Sequence, residues 1–170
     1  KMRVLFLLAI INLSGIANAQ DVKGFPEDLN KEKIIFLKYE QIKISDRFGK
    51  LVKKMYTRHN KAVVESNEML EKEAKKYPFD YVISTRAEYK DLIEQGYKYV
   101  LECDMMEYYN NGKGAVASDV RTKFYSDLYI KDLQTGDKYT LFEISDTYLI
   151  RYDKLMQKFN QKVKKNFDVK

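Results

Sequence analysis

The chain carries one histidine and one cysteine, His59 and Cys103, and they bound the chemistry it can do. A thiolate–imidazole pair needs both side chains within hydrogen-bond reach, and nothing in the spacing of these two favours contact. Metal binding needs clustered His, Cys, Asp or Glu, which a lone histidine beside an apolar helical stripe does not supply. Hydrolysis by two carboxylates needs acids that converge on a cleft. Glu102, Asp104 and Glu107 are the one acidic grouping, but on a regular strand Glu102 and Asp104 share a face that Glu107 does not. Solvated strand charges account for them. The sequence contains no Gly-x-Ser-x-Gly elbow, phosphate loop or dinucleotide fingerprint. The expectation is therefore no catalytic residue, no metal and no cofactor. A small periplasmic hydrolase using Asp104 or Cys103, or a carrier of a small apolar or anionic ligand, stands as the alternative.

Tyrosine offers a different kind of chemistry. The chain has fourteen Tyr, nine Phe and no Trp, and Tyr97, Tyr99, Tyr108, Tyr109, Tyr125, Tyr129 and Tyr139 fall in the second half. Alternation places Tyr125 and Tyr129 beside Arg121, Lys123 and Lys131 on the face opposite Phe124, Leu128 and Ile130. Aromatic and basic residues interleaved in this way form recognition surfaces, so these five are the candidate interaction face. Tyrosine also suits a half-buried strand without any ligand.

The elements that must position these residues follow from periodicity. Ile34 to Tyr39 is a short apolar, β-branched run, which predicts a buried strand. From Leu51 to Tyr77 apolar residues recur at helical spacing up to Pro78, with a possible break near Thr57. Phe79 to Ser84 predicts a strand, and Thr85 with Glu88 forms a capping box. A short helix follows, with Tyr89, Leu92 and Ile93 as its apolar face, and Gly96 ends it. Tyr97 to Tyr109 alternates with Tyr97, Tyr99, Leu101, Cys103 and Met105 on one face. Val120 to Leu133 and Lys138 to Ile144 flank the turn Gln134-Thr135-Gly136-Asp137. The three runs predict an antiparallel meander. A last helix runs from Ser145 or Asp146 to about Phe167, with lysines near its end to complement the dipole. The fold expected is α/β (α+β): one domain, a mixed sheet of about five strands, and two or three packed helices.

The first residues read as an address. Lys1 and Arg3 precede an apolar run from Val4 to Leu13, and Ala17-Asn18-Ala19 presents the small-x-small pattern of a signal-peptidase site. Cleavage after Ala19 would start the mature chain at Gln20. The expected organisation is a signal peptide at 1–19 and a domain at 20–170 whose stretch 20–33 is an exposed lead-in. The apolar run is shorter than the roughly 20 residues a permanent span needs, and no cysteine adjoins the site for a lipid anchor. A periplasmic or secreted protein is expected, without a stable transmembrane anchor. The formal charge of +6 falls to +4 when Lys1 and Arg3 leave. Without an evident basic stripe, that charge argues against a nucleic-acid partner. With one cysteine no internal disulfide can form, so a hydrophobic core must supply stability.

The order of elements from Lys33 to Ile144, with Gly96-Tyr97-Lys98-Tyr99-Val100-Leu101 leading into the sheet, resembles small α/β domains of bacterial envelope proteins. The TolB amino-terminal domain, curli-secretion lipoproteins and lipoprotein activators of penicillin-binding proteins are of this type. The resemblance implies a non-catalytic module that binds another envelope protein. Those lipoproteins have an anchor cysteine after the signal, which this chain lacks, and no site residue transfers. The functional expectation is an exported, soluble, non-catalytic envelope protein acting through protein contacts, its oligomeric state unspecified.

Overall fold

The computed structural model describes residues 19–103, 107–109, 123–145 and 152–169, with backbone alone at 107–109, 123–126 and 145. One mixed sheet carries three helices. Strands β1 (Asp21–Lys23), β2 (Ile34–Leu37), β3 (Tyr81–Ser84), β4 (Tyr99–Cys103), β5 (Glu107–Tyr109), β6 (Lys123–Asp132) and β7 (Lys138–Ser145) lie in the order β1-β7-β6-β4-β2-β3. β5 pairs with β6 along the same edge as β4, so seven strands occupy six positions. Helices α1 (Lys50–Ala74), α2 (Tyr89–Glu94) and α3 (Tyr152–Asn166) cover the sheet.

β2 explains the architecture. It is parallel to both neighbours, β3 and β4, and every one of its side chains is buried. Ile34 and Phe36 enter the core under α1 and α3, whereas Ile35 and Leu37 pack with Leu92 of α2 on the other side. A strand covered on both faces reads as a continuous apolar run, which is why Ile-Ile-Phe-Leu shows no alternation. The two crossovers leave β2 and β3 in opposite directions across the sheet. Right-handed crossovers then require helices on opposite faces, and Leu70 of α1 and Leu92 of α2 sit in separate clusters accordingly.

The meander follows the expected pattern, with β4 and β5 on β6 and β6 on β7, all antiparallel. One irregularity matters. Leu128 pairs with Phe142 but Tyr129 pairs with Thr140, leaving Leu141 as an extra residue in β7. Such a bulge reverses side-chain parity, so Tyr139 before it and Phe142 and Ile144 after it all reach the α1–α3 core. Lys158 and Lys162 of α3 stand over the Phe142 ring at 4.1 and 5.4 Å.

Gly96 ends α2 as its position demanded. Its φ is +85°, and its N–H donates to Ile93 while Tyr97 N–H donates to Leu92, at 3.0 and 3.1 Å. This is the paired-bond helix stop that glycine permits, and Tyr97 packs with Leu92 beneath it. Tyr97 therefore lies on the α2 face and not with Tyr99 and Leu101. Ile93 is 40% exposed, so Leu92 and Tyr89 carry the apolar face of α2. Of the capping box, the Glu88 half is present: its carboxylate accepts from Thr85 N–H at 3.3 Å and Ser84 Oγ at 3.1 Å.

Two other expectations change. α1 runs through Thr57 without a break, the Thr57 hydroxyl donating to the Lys53 carbonyl at 2.8 Å. Residues 20–33, expected as an exposed lead-in, are exposed at β1 yet take part in the fold: β1 adds a parallel strand to the edge of β7, and Leu29 is fully buried. Asp28 fastens this segment by accepting from Lys98 Nζ at 2.6 Å and from the Tyr99 hydroxyl. Residues 38–48 form a strap along α1, held by two asparagines. Asn67 accepts from Tyr39 N–H at 2.9 Å and donates to Tyr39 C=O at 3.0 Å. Asn60 does the same to Ile42 at 2.8 and 2.9 Å.

Candidate functional site

The carboxyl ends of β2, β3 and β4 point the same way, because these strands are parallel. In open α/β sheets that edge is where ligands bind. Here it opens into a cleft of about 160 Å³. The chain leaving β2 supplies Lys38, Tyr39 and Glu40, the turn after β3 supplies Arg86, and β4 supplies Glu102 and Cys103. Phe36, Leu101 and Leu128 from the sheet with Leu70 and Leu155 from the helices make an apolar floor. Each floor residue is there because its strand or helix turns that face to the core.

Two phenols stand at the wall. Tyr39 and Tyr152 stack with centroids 4.6 Å apart and planes 26° apart, and the Tyr152 hydroxyl donates to the Leu37 carbonyl. Burial, followed by the neighbouring Tyr152 and Cys103, pushes Tyr39 well above the ordinary phenol range. Burial, then the neighbouring Cys103, does the same for Tyr152. Both rings are therefore neutral at physiological pH and serve as hydrogen-bonding walls, not as bases. Cys103 is half-buried on β4, opposite Leu128 of β6.

Both cations at the mouth are paired, and Glu40 adds a further carboxylate. Lys38 Nζ lies 2.6 Å from Glu71, and Arg86 lies 3.5 Å from Glu102. The Lys38 ammonium holds the Glu71 carboxyl below the usual carboxylate range. Glu102 also accepts from the Tyr129 hydroxyl at 3.3 Å. An incoming anion must compete with two carboxylates, whereas a neutral acceptor or an apolar group meets no such competition.

The residues singled out from sequence divide sharply. Tyr129 is only 6% exposed: it lies between Glu102 and the Lys138 ammonium, which stands 4.7 Å over its ring. Alternation correctly put it opposite Leu128 and Ile130, but that face is itself covered, so Tyr129 does not present a recognition surface. Lys131 is half-buried opposite Val100. Lys123 and Tyr125 are placed on β6 by backbone, and Arg121 and Asp104 lie outside the described residues. At the cleavage site, Ala17 also lies outside them, while Gln20 is paired to the hairpin: its N–H donates to Asp137 at 2.8 Å and its C=O accepts from Lys138 at 2.9 Å. Cys103 lines the cleft and His59 does not. Glu107 sits on β5 beyond the end of β4. Tyr39, Arg86 and Tyr152 were not foreseen. Among the described residues no cluster of His, Cys, Asp or Glu could hold a metal, and no helix is long and apolar enough to cross a membrane.

No known protein family matches the chain, and no curated protein does either. Among solved structures it is similar to a PelC variant, a dodecamer, from Paraburkholderia phytofirmans, with 12% identity over 82% of this chain and 89% of that one. The TM-score is 0.32. A likeness this distant says nothing about what this chain does.

Proposed function

We propose that this chain is an exported domain of the bacterial envelope that works by binding and not by catalysis, with the cleft at the ends of β2, β3 and β4 as its binding site. The observation that carries the proposal is the cleft: an apolar floor, two neutral phenols and paired cations at the mouth. An apolar pocket with a few convergent polar groups is the usual form of a small-molecule site. The ligand that fits has an apolar body and a neutral hydrogen-bond acceptor, either a free small molecule or the side chain of a partner protein. Export is supported by Lys1, Arg3, the apolar run to Leu13 and Ala17-Asn18-Ala19.

Native mass spectrometry of the protein purified from the envelope fraction of its host tests this reading. The expected spectrum shows a chain starting at Gln20 with a non-covalent small mass bound. That mass is expected to be lost in Leu155→Trp, which fills the floor. A bare chain in repeated preparations, or an adduct indifferent to Leu155→Trp, would exclude the cleft as a small-molecule site. The hydrolase alternative predicts instead a turnover abolished by Cys103→Ser or Asp104→Asn.

A further inference from the structure

We infer that the first half of α1, together with the strap beside it, is a docking surface for an anionic lipid bilayer. This surface is distinct from the cleft. The buried residues of α1 are Val63, Ser66, Leu70, Glu73 and Ala74, all in its second half. The same apolar stripe nevertheless continues through the first half. At 100° per residue, Leu51, Val52, Met55, His59 and Ala62 fall within an arc of about 100° in line with the buried positions. There the stripe faces outward: Leu51 is 73% exposed, Met55 49% and Val52 36%, and on the strap Ile42 is 37% and Phe48 36% exposed.

The charge around this stripe names the occupant. Residues 41–64 hold Lys43, Arg47, Lys50, Lys53, Lys54, Arg58 and Lys61 against Asp46 alone, a net of +6. The whole chain also sums to +6, so everything outside this stretch is neutral in total. Lys50, Lys53, Lys54, Arg58 and Lys61 occupy the arc opposite the exposed apolar stripe. Of the seven cations, only Lys53 and Lys61 have a carboxylate within salt-bridge reach among the described residues, at 3.6 and 3.9 Å. A helix with one apolar face and a lysine-rich polar face opposite it lies in the headgroup plane of anionic membranes, apolar side chains down and the ammonium groups at the level of the phosphates. A second copy of this chain would bring +6 against +6. A single acidic protein is recognised better by arginine forks than by flexible lysines, and lysines here outnumber arginines five to two.

Co-sedimentation with vesicles tests the inference, using protein as it accumulates in its host. Vesicles of phosphatidylcholine alone are compared with vesicles that also contain phosphatidylglycerol. Binding is expected only with phosphatidylglycerol, weakening as salt is added. Replacing Lys50 and Lys54 with alanine should lower the affinity on the order of fivefold per lysine. Leu51→Glu with Met55→Glu should abolish binding while leaving the thermal unfolding curve in place, since both side chains are exposed. No sedimentation with phosphatidylglycerol at low salt would overturn the inference. So would binding indifferent to the Leu51 and Met55 substitutions. Retention on immobilised polyglutamate that ignores those substitutions, without vesicle binding, would likewise overturn it in favour of an acidic protein.

Discussion

The asparagine clamp on the strap gives a prediction whose size follows from geometry. Asn60 and Asn67 are seven residues apart, about 10.5 Å along a helix axis. Three residues of chain reach at most about 10–11 Å, so the run from Tyr39 to Ile42 must be close to fully extended to meet both clamps. Each asparagine pairs with the N–H and C=O of one strap residue, as a neighbouring strand would. The two sites differ in one respect: the Tyr39 bonds are part-buried and the Ile42 bonds are exposed. Asn67→Ala leaves a part-buried N–H and C=O without partners, at about 1 kcal/mol per bond and so about 2 kcal/mol in all. Asn60→Ala lets water replace the amide and should cost about 0.5 kcal/mol. For a domain of this size the melting temperatures should fall by about 4–8 °C and by about 1–2 °C respectively. Thermal unfolding by circular dichroism measures both, and the chain has no tryptophan to perturb the signal. Asn67→Ala should also loosen the Tyr39–Tyr152 stack, seen as a change in near-ultraviolet tyrosine signal. Equal losses at the two sites, or none at Asn67, would refute the view that the strap is held by backbone mimicry.

Two further substitutions probe other parts of the structure. Burial alone would raise Asp28, but hydrogen bonds from Lys98 and Tyr99 and the Lys98 charge together hold its carboxyl below the usual range. A depressed folded pKa stabilises above the unfolded value, near 4, and the effect is lost as pH falls through the folded one. Asp28→Asn should therefore lower stability at pH 7 by less than about 1 kcal/mol, given the exposed carboxylate. The gap from wild type should close below about pH 4 in urea unfolding curves measured across pH. Tyr77 is 5% exposed and its hydroxyl has no hydrogen-bond partner among the described residues. Tyr77→Phe keeps the ring against Phe36 and Phe159 and should be neutral or stabilising by about 1 kcal/mol; a clear loss in melting temperature would mean that the hydroxyl has a partner.

How much of this was legible in the sequence depended on whether the cause was local. The apolar run from Ile34 announced a buried strand, and Gly96 marked the end of α2, because such signals act over four or five residues; the helix itself starts at Tyr89, four residues after the Thr85 expected to cap it. Alternation located Tyr129 correctly on its face but could not say that the face is covered, since its cover comes from Glu102 and Lys138. The strap was unreadable because asparagine amides replaced a strand partner and left no hydrophobic period. β1 and Leu29 were missed for a related reason: three paired residues and one buried leucine make no pattern. The cleft joins Tyr39, Arg86, Cys103 and Tyr152 from four separate segments, and only the crossover topology brings them together. The charge on α1 was visible as residues and was lost by averaging over the chain.

Cys103 provides the most direct test of the central claim, that the cleft holds a ligand. It is the only cysteine in the chain and it lines the cleft, so its alkylation by iodoacetamide reports access to that space alone. The protein as isolated from its host should react more slowly than the same protein unfolded, freed of small molecules and refolded. Adding back the extract should restore the slow rate. Equal rates before and after stripping, with the extract giving no protection, would contradict a ligand-binding cleft.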